Sequence, residues 1–375
     1  MKIVVAGLRG FPGVQGGVEK HCEELYPRLA QLGCQIIVIS RSPYMKRNKK
    51  IKEWQKIRFY HLWCPTHKSL EALSHTFLSI LKAKTISPDI LHLHAIGPAL
   101  FAPLAKALGL KVVMTHHGPD YKRAKWGRAA KIILKLGEKL GVKYSDKIIA
   151  ISKGIQAELK NRYNRDSIFI PNGVREPSFI LAGKELARWK LKPKEYVFCA
   201  CRFVPEKGLH DLIEAYKRID NAFFKLVIAG DADHETDYSR RLKRMAMETP
   251  GVILTGIKTG QELAELFSHA GLFVLPSYYE GLPIALLEAL SYGLPVLVSD
   301  IPPHRELPLP DERFFPPGDK ESLSNKINYL IRHGISEDEK KDHWDYLKKN
   351  YNWDSIAQMT FEVYKDLAFN APARP

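Results

Sequence analysis

Short apolar runs alternate with amphipathic segments along this chain, and they do so in two successive blocks. In the first block, Ile3–Ala6, Gln35–Ile39, Ile90–His94, Val112–Thr115 and Lys147–Ile151 read as strands, with helical spacing over Glu19–Gln31, Phe101–Leu108 and Ala124–Leu140. The second block repeats the plan, with strands at Tyr196–Ala200, Lys225–Ala229, Val252–Thr255, Leu272–Leu275 and Val296–Val298. Its helical segments are Leu209–Arg218, Ser239–Met247, Gln261–Ala270 and Pro283–Ser291. Strands that alternate with helices build a parallel sheet covered on both faces. The predicted fold class is therefore α/β, with two doubly wound, Rossmann-like domains, for which 375 residues suffice. The periodic pattern lapses at Ile170-Pro-Asn-Gly-Val174, where Pro and Asn-Gly favour turns. This gives a domain over 1–169, a linker over 170–193 and a domain over 194–350. A last helix, Trp353–Leu367, is expected to pack back on the first domain, and Ala371–Pro375 to be frayed.

Charge is divided unevenly between the blocks. Through Asp166 there are 30 Lys/Arg against 11 Asp/Glu, and thereafter 27 against 30, so the whole net charge of +16 comes from the first half. A domain that basic points to an anionic partner: membrane lipid, a phosphorylated substrate or nucleic acid. In Lys122–Lys143, Arg128, Lys131, Lys135 and Lys139 share one helical face, and Trp126, Ala130, Ile133, Gly137 and Leu140 share the opposite one. Such a helix ordinarily turns its apolar side to its own core. No apolar run reaches the roughly 20 residues that span a bilayer, and Met1-Lys-Ile-Val-Val-Ala-Gly7 reads as a strand and a turn, not a secretory signal. Five cysteines (22, 34, 64, 199 and 201) without CxxC spacing read as reduced thiols.

Ligands of doubly wound sheets bind at the carboxyl ends of the strands, so the informative loops follow strands. After the first strand comes Gly7-Leu-Arg-Gly-Phe-Pro-Gly-Val-Gln-Gly-Gly-Val-Glu19, with Gly16 and Gly17 just before a helix. That suits phosphate binding, although the spacing is neither a P-loop nor GxGxxG; a plain surface loop would read the same way. Thr115-His-His-Gly-Pro-Asp120 puts a histidine at a strand's carboxyl end. His92 and His94 share one strand face but have no third ligand at a recognisable spacing, so no metal site is expected. In the second block, Arg202 and Lys207 of Cys201-Arg-Phe-Val-Pro-Glu-Lys-Gly208 bracket a turn that opens a helix, as a diphosphate clamp or as a solvated basic turn. Gly230-Asp-Ala-Asp233 matches DxD but reads as a polar loop.

The stretch Ser277-Tyr-Tyr-Glu-Gly-Leu-Pro-Ile-Ala-Leu-Leu-Glu288 follows a buried strand and opens a helix, with Pro283 suited to its first turn and Gly293 to the residue past its end. Glu280 precedes the helix and Glu288 lies within it. Strand, turn and helix with an acid at each end is also ordinary α/β construction.

Taken together, Gly16-Gly17-Val-Glu19, Arg202 with Lys207-Gly208, and Glu280 with Glu288 resemble retaining glycosyltransferases of the GT-B fold, and most of all family 4. The resemblance runs in order over nearly the whole chain, and the regions up to Tyr26 and over Asp120–Gly127 resemble a bacterial subgroup that builds surface polysaccharides. It implies transfer of a sugar, with retention, from a nucleoside diphosphate sugar (a UDP-sugar is expected) to a glycan or lipid-linked acceptor. Arg202, Lys207 and backbone N–H groups of Gly16, Gly17 and the helix start at Gly281, Leu282 and Ile284 would hold the diphosphate. Glu288 would take the ribose, Glu280 and His117 would stand at the donor sugar, and Gly256 and Ile257 would meet the base through backbone. Many relatives have an apolar residue where this chain has His116, which leaves His116 and His117 both open as the cleft histidine. The first domain would hold the acceptor and the second the donor. No cofactor or metal is expected, and the protein is expected in the cytoplasm, peripheral on an anionic membrane surface. The rivals are a sugar-nucleotide epimerase of the same fold and a nucleic-acid-binding protein; no nucleic-acid motif is found.

Overall fold

The computed structural model describes residues 1–48, 51–66, 70–123, 126–219 and 223–369. The predicted fraying of Ala371–Pro375 and the predicted helix start at Ala124 fall outside the described residues. Two compact units divide the chain. One is Met1–Gly173 with everything from Trp353 onward; the other is Val174–Asn352.

The first unit is built on eight strands: β1 (Lys2–Ala6), β2 (Gln35–Arg41), β3 (Glu53–Trp54), β4 (Ile57–Leu62), β5 (Ile90–His94), β6 (Val112–His116), β7 (Lys147–Ala150) and β8 (Ile168–Phe169). They lie in the order β3-β4-β2-β1-β5-β6-β7-β8. Every neighbouring pair is parallel except β3 with β4. The helices are α1 (Gly17–Gln31), α2 (Glu71–Ile86), α3 (Ile96–Ala99), α4 (Ala102–Ala107), α5 (Arg128–Tyr144) and α6 (Lys153–Tyr163). The C-terminal helix, Trp353–Phe369, packs on α1.

Alternate residues of the central strands face opposite cores, as the strand period requires. Val5 and Val38 pack with Tyr26 of α1 and with Trp353, Ile356 and Tyr364 of the C-terminal helix. Val4, Leu91, Leu93 and Val112 pack with Ile80 and Ala83 of α2 and Ala102 and Ala105 of α4. Met114 continues that second face with Ile96 and Ala99 of α3 and Leu134 of α5. So α2, α3, α4 and α5 cover one side of the sheet.

α5 corrects the sequence reading. Ile132, Ile133 and Leu136 are exposed, whereas Gly137, Glu138, Gly141 and Val142 are buried. Two glycines fix that seam: a Cβ on Gly137 would stand 2.4 Å from the Ile96 carbonyl oxygen, and one on Gly141 would stand 2.5 Å from Ala99 Cβ. Backbone-close packing along the glycines turns the bulkier apolar side chains outward.

The second unit has six parallel strands: β9 (Tyr196–Ala200), β10 (Lys225–Ala229), β11 (Val252–Gly256), β12 (Leu272–Leu275), β13 (Val296–Ser299) and β14 (Phe314–Phe315). Their order is β11-β10-β9-β12-β13-β14. The helices are α7 (Lys184–Trp189), α8 (Leu209–Tyr216), α9 (Asp237–Met247), α10 (Gly260–His269), α11 (Ile284–Ser291), α12 (Pro302–Arg305), α13 (Lys320–His333) and α14 (Glu337–Asn350). Val197, Ile228, Val274 and Leu297 form its core with Leu212, Leu242 and Leu323.

Of the stretch read as a linker, 170–173 close the first unit and the rest belongs to the second. There the Glu265 carboxylate accepts N–H bonds from Gly183 and Leu186, and Lys258 pairs with Glu185 at 2.6 Å. The five cysteines are free; Cys201 stands one residue past β9, the strand that holds Cys199.

Candidate active site

In the second unit, the site begins where β9 and β12 lie side by side and end together. The loop after β9 closes with Pro205–Lys207 in a 3₁₀ turn, and Gly208 then takes φ +63° to start α8. Only glycine serves at 208, because a Cβ there would lie 2.1 Å from the Pro276 carbonyl oxygen, on the loop after β12. Tyr278 N–H donates to the Glu206 carbonyl at 2.9 Å and joins the two loops.

This close approach brings Lys207 to Glu280. The Lys207 ammonium donates to Glu280 Oε1 at 2.5 Å, and Ser277 Oγ donates to the same oxygen at 2.6 Å. Among the described residues Oε2 has no protein hydrogen bond. Glu280 is buried. Burial alone would raise the Glu280 pKa, but the Lys207 charge and the hydrogen bonds from Lys207 and Ser277 outweigh it and hold the carboxyl below its ordinary value. Glu280 is thus an ionised acceptor with one oxygen anchored.

Ser277 is itself tied down, since Ser299 Oγ donates to its carbonyl oxygen. His304 supports Ser299 by donating from Nδ1 to the Ser299 carbonyl at 2.7 Å. Burial pushes His304 down to about 4, so it stands neutral, and among the described residues its buried Nε2 has no hydrogen-bond partner. Sequence reading does not single out Ser277 or His304 as site residues, because neither belongs to a recognisable spacing.

Gly281 and Leu282 lead from Glu280 into α11, which starts at Ile284. Pro283, expected in the first turn, is instead the residue that caps the helix with extended backbone (φ −76°, ψ 112°), and it makes no side-chain capping bond. Gly293, at φ +64°, is the residue past the C-cap, as its position suggests. Glu288 is half-buried on α11.

Arg202 is held by Asp233 at 2.8 Å. Asp231, the other acid of the DxD match, pairs with Lys243 at 2.9 Å. Both carboxylates are therefore occupied by cations, in keeping with a polar loop. Gly256 ends β11 at φ +73° with open space where a Cβ would be, and Ile257 is exposed beside it. A cavity of about 430 Å³ is lined by Gly230, Asp231, Lys243, Met247 and Gly256 among others, but by none of Arg202, Lys207, Glu280 or Glu288.

In the first unit, Gly16 caps α1 and Gly17 is its first residue. Glu19 bends back over this start. Its Oε1 accepts the Arg9 N–H at 3.1 Å, and its Oε2 would lie 2.0 Å from a Cβ on Gly16. Gly17 has open space around it.

One turn further on, α1 brings His21 to His117, with ring centroids 5.0 Å apart. His117 meets His94 through an Nε2···Nδ1 contact of 2.9 Å. His94 Nε2 meets Tyr26 OH at 2.5 Å, which also meets His92 Nδ1 at 3.0 Å, and His92 Nδ1 meets Tyr364 OH at 2.6 Å. A hydrogen-bonded line thus runs from the C-terminal helix through β5 and α1 to His117. His92 spends its second nitrogen on Thr115 Oγ1 at 2.7 Å.

The pair His92 and His94 is therefore not the grouping that matters. His21, His94 and His117 each present a nitrogen within 4.8 Å of the others. The third imidazole comes from α1, a helix distant in sequence. Burial lowers His21 to about 4 and His92 to about 3, and sends His94 and His117 well below the ordinary imidazole value. The cluster is neutral at physiological pH.

His116 has a different place. Gly118 N–H donates to its Nδ1 at 3.1 Å, so the proton is on Nε2, which donates to Glu138 of α5 at 3.0 Å. Glu138 also accepts from Tyr163 at 2.6 Å and from Arg162 at 3.0 Å. His116 is 1% exposed. It ties β6 to α5, and His117 is the member of the imidazole cluster.

Known proteins resemble this chain along its length. The model of Glycosyltransferase Family 4 matches residues 15–176, and that of Glycosyl transferases group 1 matches residues 184–351. The Bacillus subtilis protein TuaC, provisionally assigned as a teichuronic acid biosynthesis glycosyltransferase, is 25% identical over 73% of this chain and 74% of its own. Sucrose-phosphate synthase from Thermosynechococcus elongatus superposes with a TM-score of 0.84 at 21% identity, covering 99% of this chain and 100% of that one. Anabaena HepE, solved in complex with UDP-glucose, superposes at 0.77 and 17% identity, covering 98% and 100%.

Proposed function

The chain is a family 4-like glycosyltransferase of the GT-B fold, and from that premise we propose that it moves a hexose, with retention, from a UDP-sugar to a glycan or lipid-linked acceptor in polysaccharide biosynthesis. The observation that carries this reading is the anchored, ionised Glu280 beside Lys207 at the start of α11.

When the donor's glycosidic bond breaks, negative charge gathers on the diphosphate while the sugar becomes oxocarbenium-like. Lys207 is placed by Gly208 and neutralises the diphosphate. The start of α11 adds the backbone N–H of Ile284, and in the first unit the start of α1 at Gly16 and Gly17 is an anion-favouring helix terminus of the same kind. Arg202 shares its guanidinium between Asp233 and a phosphate oxygen, since it has five N–H donors. Preorganised donors of this kind are each worth roughly 3 to 4 kcal/mol at the transition state.

Glu280 Oε2 accepts hydroxyls of the donor sugar while Lys207 and Ser277 fix Oε1. Glu288 accepts from the ribose. Gly256 and Ile257 face the base, where the small glycine leaves the backbone approachable. His117, neutral and held by His94, is the first unit's contribution to the transfer. None of these roles uses a metal ion or an organic cofactor. The first unit binds the acceptor and the second the donor. HepE, a neighbour with UDP-glucose bound, supports the choice of donor nucleotide, and TuaC, with its provisional assignment to teichuronic acid biosynthesis, supports the polysaccharide reading.

The test is incubation with a panel of nucleotide sugars, with and without lipid-linked and glycan acceptors, followed by NMR of the product's anomeric centre. Turnover that needs an acceptor and keeps the donor's configuration is expected. Isomerisation of a nucleotide sugar without acceptor, or an inverted product, would overturn the reading.

A further inference from the structure

The geometry points to a binding site for one divalent transition-metal ion among His21, His94 and His117, where Zn²⁺ would withdraw His117 from the transfer reaction. Metal binding rests on the three imidazoles alone; only its effect on transfer rests on the function proposed above.

His21 comes from α1, His94 ends β5 and His117 follows β6. One ring nitrogen of each lies within 4.8 Å of the others. The ring centroids are 5.0 Å apart for His21 and His117, 5.2 Å for His94 and His117, and 5.6 Å for His21 and His94. Three imidazoles bound to one tetrahedral ion at about 2.0–2.1 Å set their centroids about 5.2 Å apart. The three rings therefore already have the spacing of ligands. The nitrogens of His94 and His117 that meet at 2.9 Å part by roughly 0.4 Å to admit an ion, and rotation of the His21 ring brings its nitrogen in by up to about 1.5 Å.

A second, independent observation concerns His21. Its Nδ1 donates to Asn172 Oδ1 at 2.9 Å, which puts the lone pair on Nε2. That Nε2 is buried and, among the described residues, has no hydrogen-bond partner. Buried polar atoms are seldom left unused, and a metal ion uses this one. The nitrogens turned away from the ion have acceptors of their own. Asn172 serves His21, and the Tyr26 hydroxyl serves His94 once its proton is on Nε2, with Tyr26 then donating to His92 Nδ1 at 3.0 Å. Metal-bound imidazoles are held in orientation by such partners. His92 stays outside the ligand set, because its nitrogens are taken by Tyr26, Tyr364 and Thr115.

Nitrogen-only donors select the metal. Mg²⁺ and Ca²⁺ take oxygen ligands, whereas imidazole suits Zn²⁺, Co²⁺, Ni²⁺ and Cu²⁺. His21 and His94 are buried and His117 is half-buried, so the ion enters past His117 and keeps its fourth position for water or another small ligand. An imidazole whose lone pair is on the metal is no longer available to the sugar transfer. The ion also joins α1 to β5 and β6, which stabilises the first unit by as much as it binds.

The experiment uses the full chain, dialysed against EDTA and without donor or acceptor. Titration with Co²⁺ should saturate at one equivalent and give the visible ligand-field bands of a four-coordinate nitrogen site. It should not give the thiolate charge-transfer band expected of Cys199 and Cys201, whose sulfurs lie 3.9 Å apart. Zn²⁺ should displace the Co²⁺, and Mg²⁺ should not. In protein carrying isotope-labelled histidine, Zn²⁺ should shift the ring-nitrogen NMR signals of His21, His94 and His117. His21→Gln should weaken Zn²⁺ binding at least about a hundredfold; if that variant does not fold, the labelled parent decides. The inference is overturned by lack of saturable Co²⁺ binding, by a thiolate band, by equal competition from Mg²⁺, by shifts confined to other histidines, or by a folded His21→Gln variant that binds like the parent. With substrates added, saturating Zn²⁺ should lower transfer by the roughly hundredfold of a lost imidazole, and EDTA should restore it. Zn²⁺ held by the three imidazoles with transfer undiminished would keep the metal site and remove His117 from the reaction, so the two readings fail separately.

Discussion

Lys207 and Glu280 lie 73 residues apart in sequence, yet the ammonium of one donates to the carboxylate of the other at 2.5 Å. The contact exists because β9 and β12 are neighbours and Gly208 lets their following loops touch. A cation that must meet a phosphate and an anion that must meet a sugar are thereby fixed relative to one another before any ligand arrives.

Glu280→Gln and Lys207→Ala are each expected to lower kcat/KM for transfer by about a hundredfold or more, the scale of a lost transition-state contact. Thermal melts should show both variants folded. Near-normal turnover in either would remove the residue from the reaction.

The two adjacent histidines should separate cleanly. His117→Ala should reduce transfer by roughly a hundredfold in protein that still unfolds as a cooperative unit. His116→Ala takes one of two donors from a buried Glu138 oxygen and the acceptor from the Gly118 N–H, and should cost about 1 to 3 kcal/mol of stability, read by urea unfolding, with the surviving folded fraction still active. The opposite pattern would assign the site to His116.

Gly208→Ala should be among the most disruptive single-methyl changes in the second unit. It places a Cβ 2.1 Å from a carbonyl oxygen at a φ of +63°, which predicts a loss of more than about 2 kcal/mol. Gly17→Ala, with open space around it, should be tolerated in stability and serves as the comparison for urea unfolding.

Acid should destabilise the first unit through its imidazoles. Burial lowers His21 from 6.5 to about 4 and His92 to about 3. Between those values and 6.5 the unfolded chain binds protons that the folded chain refuses. The stability they supply is therefore complete above pH 6.5 and is lost progressively as pH falls toward 4. His21 alone would contribute on the order of 3 kcal/mol of that loss. The measurement is ΔG of unfolding by urea between about pH 7.5 and about pH 4.5 for the parent and a His21→Asn variant, whose profile should be flatter; equal slopes would place the effect elsewhere.

What can be read from the sequence follows from where each signal resides. Strands such as Val112–Thr115 and Leu272–Leu275 are continuous apolar runs because both their faces are covered, and they are legible within a residue or two. β4 is not, because Ile57–Leu62 alternates buried and exposed residues and breaks the apolar run with Arg58 and His61. α2 is hidden because its buried side mixes Ile80 and Ala83 with Glu71, His75, Thr76 and Ser79 while Phe77 and Leu81 face outward, so its apolar residues mark no single face. α5 is legible but turned, since periodicity reports which residues share a face and not which face a glycine seam will bury. Glu280, Lys207 and His117 are visible as loop residues after strands. His21 is not, because its relation to His94 and His117 is made only by packing.

The chain's return at Trp353 bears on how the protein can be made. Trp353, Ile356, Val363 and Tyr364 complete the core around α1, Tyr364 closes the hydrogen-bonded line to His92, and Arg28 meets Asp354. The first unit is thus discontinuous, whereas the second is one uninterrupted stretch. During synthesis from the amino terminus, Val174–Asn352 has its full complement of residues before Met1–Gly173 does. The earlier half must wait, with part of its apolar surface uncovered, until the last helix has emerged. Expressed alone and ending at Gly173, it should aggregate, and supplying Trp353–Phe369 on a short tether should rescue it.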